Sequence, residues 1–511
     1  MSGRDRSNPH WSAVPAEVLK DFDAYLTRIH GLRHVHPLQT FSSGFSGAQV
    51  LLVEDKIGRR QAQQRVLKFC PNDAEPDQIS IAYEGAPPDF ARDHLAKVVD
   101  KVHHGKCAAV FMAIAGQDLS NCRSLAEHLR QRDPADICRT VIPSLLRGWN
   151  AGRTDLSSPY TVAEYLRSLI GVTRLGDAGS IATFLARAGI DPRAETVRLS
   201  GWGRELRNPL TLADLHTPAG ASLVPDGALV GDGHGDLNIF NLLIPDYPDF
   251  APEQYQIIDY GGGVEQPLTW DSMYLLVSMA TRWLSQMNLA SDSPSHLVRV
   301  LARPRGSGND FGLSEHRAVA KAIYDAGYEW AKSTSYANRW LPQCALSLCA
   351  AALRFIGRQI PGVNVSLDDW FFELAAEAAD TFAEEAHLAP GTGITHIASA
   401  RQRRGQRAGG TSQAGGPSDD VAEFVRLLKE ADFGGDWADV RRGTSSLRAY
   451  LKKEREHATG SPHAISIRTL TDGLRAALND AIDARLAAGT HGRAARRAGR
   501  IARTLQPLLL A

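Results

Sequence analysis

The chain has no surplus of either charge, with 57 Lys and Arg against 57 Asp and Glu in 511 residues. That balance removes the general electrostatic case for a nucleic-acid or acidic-membrane binder. Cysteine is scarce: six residues (70, 107, 122, 138, 344 and 349) with no C-x-x-C pair, which buried reduced thiols in a cytoplasmic protein account for. No apolar run approaches bilayer length, and residues 1–6 are polar, without the apolar stretch of a signal peptide. His30, His34 and His36 lack Cys or acidic partners at ligand spacing and read as a surface segment. What remains is a globular composition, 43% hydrophobic and 22% charged, long enough for two or three domains.

Against that background one constellation carries chemistry. His234-Gly235-Asp236-Leu237-Asn238-Ile239-Phe240-Asn241 runs into a short apolar strand, Asn241-Leu242-Leu243-Ile244. Pro245-Asp246-Tyr247-Pro248-Asp249-Phe250 then supplies turn formers, and a second strand, Tyr255-Gln256-Ile257-Ile258, delivers Asp259 ahead of Gly261-Gly262-Gly263. Two strands closed as a hairpin bring their outer ends together, so Asn241 and Asp259 face one place. An amide and a carboxylate suit Mg²⁺, a hard ion that keeps water and phosphate oxygens in its shell. Asp236, upstream on the loop, is placed to take a proton from an attacking hydroxyl. A base and two metal ligands in this order are what phosphoryl transfer from a Mg-nucleotide needs.

These segments resemble the catalytic loop and metal-binding segment of the protein-kinase-like superfamily. The likeness is to its aminoglycoside phosphotransferase and choline kinase branch, whose patterns are H-G-D-x-x-x-x-N and I-D-[FYW]. The resemblance implies Asp236 as catalytic base with His234 and Asn238 beside it, and Asn241 and Asp259 as Mg²⁺ ligands. Asn238 stands where small-molecule kinases usually carry His and protein kinases usually carry Lys. ATP or GTP is the implied cosubstrate. The implied fold is α+β and two-lobed, with a small β-rich N-lobe and a larger helical C-lobe. Thr269-Trp270-Asp271 opens an apolar helix, where Asp271 reads as a helix cap that also braces the loop.

The nucleotide grip is sought upstream. Ser43-Gly44-Phe45-Ser46-Gly47 precedes a β-branched strand at 49–53, and its small residues admit phosphate oxygens close to backbone N–H groups. Lys68, in Arg65-Val66-Leu67-Lys68-Phe69, alternates with apolar neighbours; such a Lys ordinarily faces solvent, but here it lies where the family keeps its phosphate-binding Lys. Its ion-pair partner reads as Glu84, on a helix over 77–84. Glu75 is the competitor, beside Pro76 in an expected turn. A buried strand over 108–115 runs into a hinge; the resemblance implies that this segment, Met112 and Ala113 within it, meets the adenine through backbone groups.

The chain then organises as an N-lobe over 1–117 and a helical C-lobe over 118–395 with an insertion around 170–228 that shapes the acceptor pocket. A basic, Gly-rich linker follows over 396–419, then a separate all-α module over 420–511. That module reads as a protein-binding unit. Its arginines 493, 496, 497, 500 and 503 form a stripe that is ordinarily a solvated face. Kinase-like unit plus helical adaptor is also similar to phosphotransferase-like domains of bacterial multi-component conflict or signalling systems. The sequence reading is therefore a kinase acting on an alcohol group, the alternative being a nucleotide-binding pseudokinase scaffold that works through protein contacts. The acceptor is not legible.

Overall fold

The computed structural model describes residues 8–386 apart from 30–31, 42–48, 71–74, 114–120, 131, 154–155, 199–204, 247–248, 261–264, 290, 292, 307–311 and 361. The glycine loop at 43–47, the hinge from 114 onward, the linker and the module over 420–511 lie outside the described residues. The described part is mixed α+β: an N-terminal sheet followed by a mostly helical remainder.

Five strands, β1 (Arg33–Phe41), β2 (Gln49–Ile57), β3 (Gln63–Cys70), β4 (Lys97–His104) and β5 (Cys107–Ala113), form an antiparallel sheet in the order β1-β2-β3-β5-β4. Both faces are covered, and the period-two alternation sorts the side chains between them. Leu51, Val53, Leu67, Phe69, Ala109 and Phe111 pack with Phe22 and Leu26 of the Ala16–Arg28 helix. Val50, Leu52, Val66, Ala108, Val110 and Met112 face the main core. Lys68 has the parity of the second set. Its side chain is therefore turned inward and buried, the opposite of the usual exposed strand lysine.

Strand expectations at 49–53, 65–69 and 108–115 fall on β2, β3 and β5. Strand β4 begins at Lys97, while Leu95 just before it makes a parallel bridge to Ile257. The hairpin read from the sequence is formed: strand Leu242–Pro245 pairs antiparallel with Gln256–Ile257, and Ile258 N–H donates to Asn241 O at 3.1 Å.

The segments 313–333, 340–358 and 367–387 repeat apolar residues at three- and four-residue intervals, which predicts helices, and the structure forms Ser314–Ser333, Ala337–Phe355 and Asp368–Glu385 there. Trp330, Trp340, Trp370, Phe371 and Phe372 are core residues, as their spacing implied, and all six cysteines are free and buried. Gly327 permits the close approach of two of these helices: a Cβ there would lie 1.9 Å from the Trp340 ring. Helix Trp270–Leu284 is buried along almost its whole length and runs beneath the H-G-D loop. Among the described residues no helix is long and apolar enough to cross a membrane.

One core carboxyl is out of place energetically. Glu373, in the Asp368–Glu385 helix, is 6% exposed, and its Oε1 has no hydrogen-bond partner. Burial, then the neighbouring Glu377, push its pKa from 4.5 to about 9. A carboxyl with a raised folded-state pKa contributes stability that is complete below the unfolded value and is lost as pH rises through the folded one. Glu373→Gln should therefore melt above wild type at pH 8, by on the order of 1–3 kcal/mol. The gap should close as pH falls toward 5, a trend that melting curves across this range would register.

Candidate active site

The loop from His234 to Asn241 leaves strand Ala228–Asp232 and enters strand Leu242–Pro245. Its shape is held from behind by the Trp270–Leu284 helix. The Asp271 carboxylate accepts from the backbone N–H of His234 at 2.6 Å and of Gly235 at 2.9 Å. Trp270 Nε1 donates to Gly235 O at 2.9 Å, and Ser278 Oγ accepts from Ile239 N at 3.1 Å. Gly233 is required here, since a Cβ would come within 2.6 Å of Asp271 Oδ2, and Gly235 has φ +84°. Burial raises the Asp271 pKa, while His234, the two amide donors and Gln266 pull it back. The brace expected of Asp271 is thus formed. The helix N-cap is Thr269, which makes no side-chain capping bond.

His234 is fully buried and ties the loop to the hairpin. Its Nε2 lies 3.0 Å from Ile258 O and its Nδ1 accepts from Asp236 N–H at 3.2 Å. Asn238, 1% exposed, donates to Asp236 O at 3.3 Å and accepts from Phe240 N–H at 2.9 Å. Both side chains are occupied by loop backbone and act on Asp236 through the shape of the loop. Asn241 also donates to Asp236 O, at 3.0 Å, so the loop curls back over its own carbonyl. The Asp236 side chain is half-buried and faces the Tyr274 hydroxyl, whose pKa is raised by burial and by the Asp236 charge.

Asp259 follows the second hairpin strand directly. It adopts φ +63°, a left-handed conformation that Asp tolerates better than most residues and that aims its carboxylate off the strand line. There it meets Lys68 of β3. The ammonium, 1% exposed, forms ion pairs with Asp259 and with Glu75. Burial works to lower the Lys68 pKa, but the two carboxylates outweigh it and hold the amine above its ordinary value. One carboxylate from seven residues on and another from 191 residues on therefore converge on one buried charge.

The partner expected of Lys68 requires correction. Glu84 is exposed near the end of the Glu75–Gly85 helix, and Glu75 makes the pair. Pro76 does not mark a turn: proline is tolerated in the first helical turn, where its missing N–H has no intrahelical acceptor. The helix consequently starts two residues earlier than read, with Glu75 at the end nearest Lys68. On the neighbouring strand Met112, fully buried, pairs with Val66 two residues from Lys68, and Ala113 is half-buried beyond it.

Among the described residues no three His, Cys, Asp or Glu side chains cluster as a metal site. A closed all-protein metal cage is therefore not built from them. With its Nδ2 engaged by Asp236 O, Asn241 has an amide oxygen to offer, and Asp259 a carboxylate; both are hard donors of the kind Mg²⁺ takes alongside phosphate and water.

The two candidate partners of Lys68 are separable by mutation. Glu75→Gln leaves a buried ammonium with one carboxylate and should cost about 1–3 kcal/mol of stability, whereas Glu84→Gln on the exposed end should stay within about 0.5 kcal/mol of wild type. Melting temperatures of the full chain are the readout, and equal losses would contradict the assignment.

The sequence matches no protein-family model and no curated protein. Among solved structures 29 chains match. One is an ethanolamine kinase from Plasmodium vivax, 9% identical with a TM-score of 0.35, the match covering 70% of this chain and 85% of that one.

Proposed function

We propose that the chain is a Mg-nucleotide-dependent phosphotransferase of the protein-kinase-like superfamily, in its aminoglycoside phosphotransferase and choline kinase-like branch, acting on a hydroxyl acceptor. The observation that carries this reading is the convergence of Lys68 and Glu75 with Asp259, the residue that ends the hairpin begun by the H-G-D-x-x-x-x-N loop. A structural ion pair would need one carboxylate. Two carboxylates on one buried ammonium, one of them in a left-handed conformation beside Asn241, suit a site awaiting phosphate.

In this reading residues 1–117 are the N-lobe and 118–395 the C-lobe, with 420–511 a partner-binding module beyond the linker. Asn241 and Asp259 would hold Mg²⁺, which when bound neutralises charge on the phosphates. Lys68, held by Glu75, exchanges its contact with Asp259 for phosphate oxygens of ATP or GTP. Asp236 takes the proton of the acceptor hydroxyl as that oxygen bonds to the γ-phosphorus; the bond to the bridging oxygen breaks, and the nucleoside diphosphate leaves. His234, Asp271 and Trp270 keep the Asp236 backbone fixed through this step. The scaffold alternative has one observation in its favour: Asn238, at the position of a family His or Lys, is turned into the loop.

Labelled Mg-ATP incubated with a panel of alcohols tests the reading. Asp236→Asn should lower transfer by ~10²–10⁴-fold, the usual contribution of a positioned base, and Lys68→Met should weaken nucleotide use. Equal turnover by wild type and Asp236→Asn would leave the scaffold.

A further inference from the structure

Three guanidinium groups gather around Tyr274, whose hydroxyl neighbours Asp236, and the chemistry described so far uses none of them. Arg358 Nη1 donates to the Tyr274 hydroxyl at 2.8 Å, and that hydroxyl faces the Asp236 carboxylate. Arg358 is thus one hydroxyl removed from the base. Arg354, one helical turn earlier in sequence, lies over the Trp270 and Tyr274 rings, its Cζ 5.4 and 5.5 Å from their centroids. Trp270 in turn bonds the loop at Gly235, and Tyr274 faces it at Asp236. Arg174 comes from the insertion, on the short Val172–Leu175 helix, and reaches the same place, donating to Ile356 O at 3.3 Å between the other two. All three are half-buried.

A packing role accounts for part of this. Arg354 donates to Leu169 O at 3.0 Å, and Arg174 also donates to Ser180 Oγ at 3.3 Å. A guanidinium has five N–H donors, however, and these bonds occupy a minority of them. Among the described residues these bonds of Arg174 and Arg354 go to a hydroxyl and to backbone carbonyls, none of them to a carboxylate. The Arg174 pKa is lowered by burial and then by Arg358 and Arg354, so the positive charges oppose one another. Like charges held together at a stability cost, beside a candidate base, are the pattern of a binding site, not of a scaffold contact.

We infer that Arg174, Arg354 and Arg358 form the acceptor end of the site, and that the alcohol it phosphorylates carries an anionic group, a phosphate or a carboxylate. The inference rests on the phosphotransferase reading for the word acceptor, and on the arginines alone for the anion. Planar guanidinium forks suit both oxyanions, bidentately. A cationic amino alcohol would meet three like charges there.

The experiment uses the full chain with Mg-ATP and three alcohols: glycerol 3-phosphate, glycerate and ethanolamine. We expect transfer to one or both anions with kcat/KM at least tenfold above that for ethanolamine. The phosphate and carboxylate arms show which anion is preferred. Arg174→Gln and Arg354→Gln should each raise the anion's KM at least tenfold while kcat changes less than threefold and the nucleotide KM stays put; Arg354→Lys should recover part of the loss. A purely structural arginine would not produce that split, and melting curves identify any variant that fails to fold. Ethanolamine used as well as the anions, or an anion KM unmoved in both Gln variants, overturns the proposal.

If no alcohol is phosphorylated, the phosphotransferase reading fails separately and the anion site is judged by calorimetry with glycerol 3-phosphate and glycerate. Binding weakened tenfold by Arg174→Gln and unaffected by Lys68→Met supports it. Binding that depends on Lys68 and not on Arg174, or no binding of either anion, overturns it.

Discussion

Burying one ammonium governs much of this architecture. Lys68 sits on a sheet covered on both faces, so its charge cannot reach water by any rotamer of its own strand. An ammonium taken out of water costs several kcal/mol unless carboxylates and hydrogen bonds replace its hydration. Glu75 and Asp259 supply that replacement, and each has a structural consequence. The Glu75–Gly85 helix must begin where its first residue reaches β3. Asp259 must leave the hairpin with positive φ, because an extended residue there would continue the line of its strand. The ion cluster thereby links the sheet to a hairpin nearly two hundred residues later, a long-range contact whose loop-closure entropy is met by a buried, paired charge.

A second set of bonds fixes the same two regions from the side. Ala96 N–H donates to Ile257 O at 3.1 Å, Gln256 Nε2 donates to Asp93 O at 2.6 Å, and the His94 ring bonds Tyr255 O at 3.0 Å while stacking on the Tyr255 ring. The Tyr260 hydroxyl donates to Ala96 O. Residues 93–96 thus act as an extra edge for the hairpin, which has only two paired positions of its own. Behind it the H-G-D loop has its backbone N–H groups satisfied by Asp271, His234 and Ser278. Preorganisation of this kind keeps a reacting carboxylate in place without asking the reaction to reorder the chain around it.

What could be read in the sequence follows from how local each signal is. The H-G-D loop, the hairpin and the long helices were legible because alternation or three-to-four spacing declares itself within ten or fifteen residues. Lys68 was legible only by its place in the order of motifs. Its local pattern argued for solvent, and nothing within β3 reveals that a helix covers one face and the main core the other. Glu75 was passed over because Pro76 beside it reads as a turn, although a first-turn proline and a turn proline look alike in sequence. The inward positions of His234 and Asn238 depend on Ile258 and on loop curvature, neither of which a motif encodes. Arg174, Arg354 and Arg358 gave no signal at all. One sits on the Val172–Leu175 helix and two flank the end of the Ala337–Phe355 helix, so only the fold brings them to Tyr274.

That distribution of residues separates two tasks. The groups assigned to phosphoryl transfer come from the loop, the hairpin and β3, each held by bonds to elements that cannot move independently. The arginines come from the Val172–Leu175 helix and the end of the Ala337–Phe355 helix, and they approach the loop through the rings of Trp270 and Tyr274 and one hydroxyl. On the proposed reading, substituting them would alter what charge is welcome beside Asp236 while the loop, braced by Asp271, keeps its geometry. A fold arranged in this way would let the acceptor change without a redesign of the chemistry, so a catalytic pattern names a reaction class and the surrounding charges are needed to narrow the substrate.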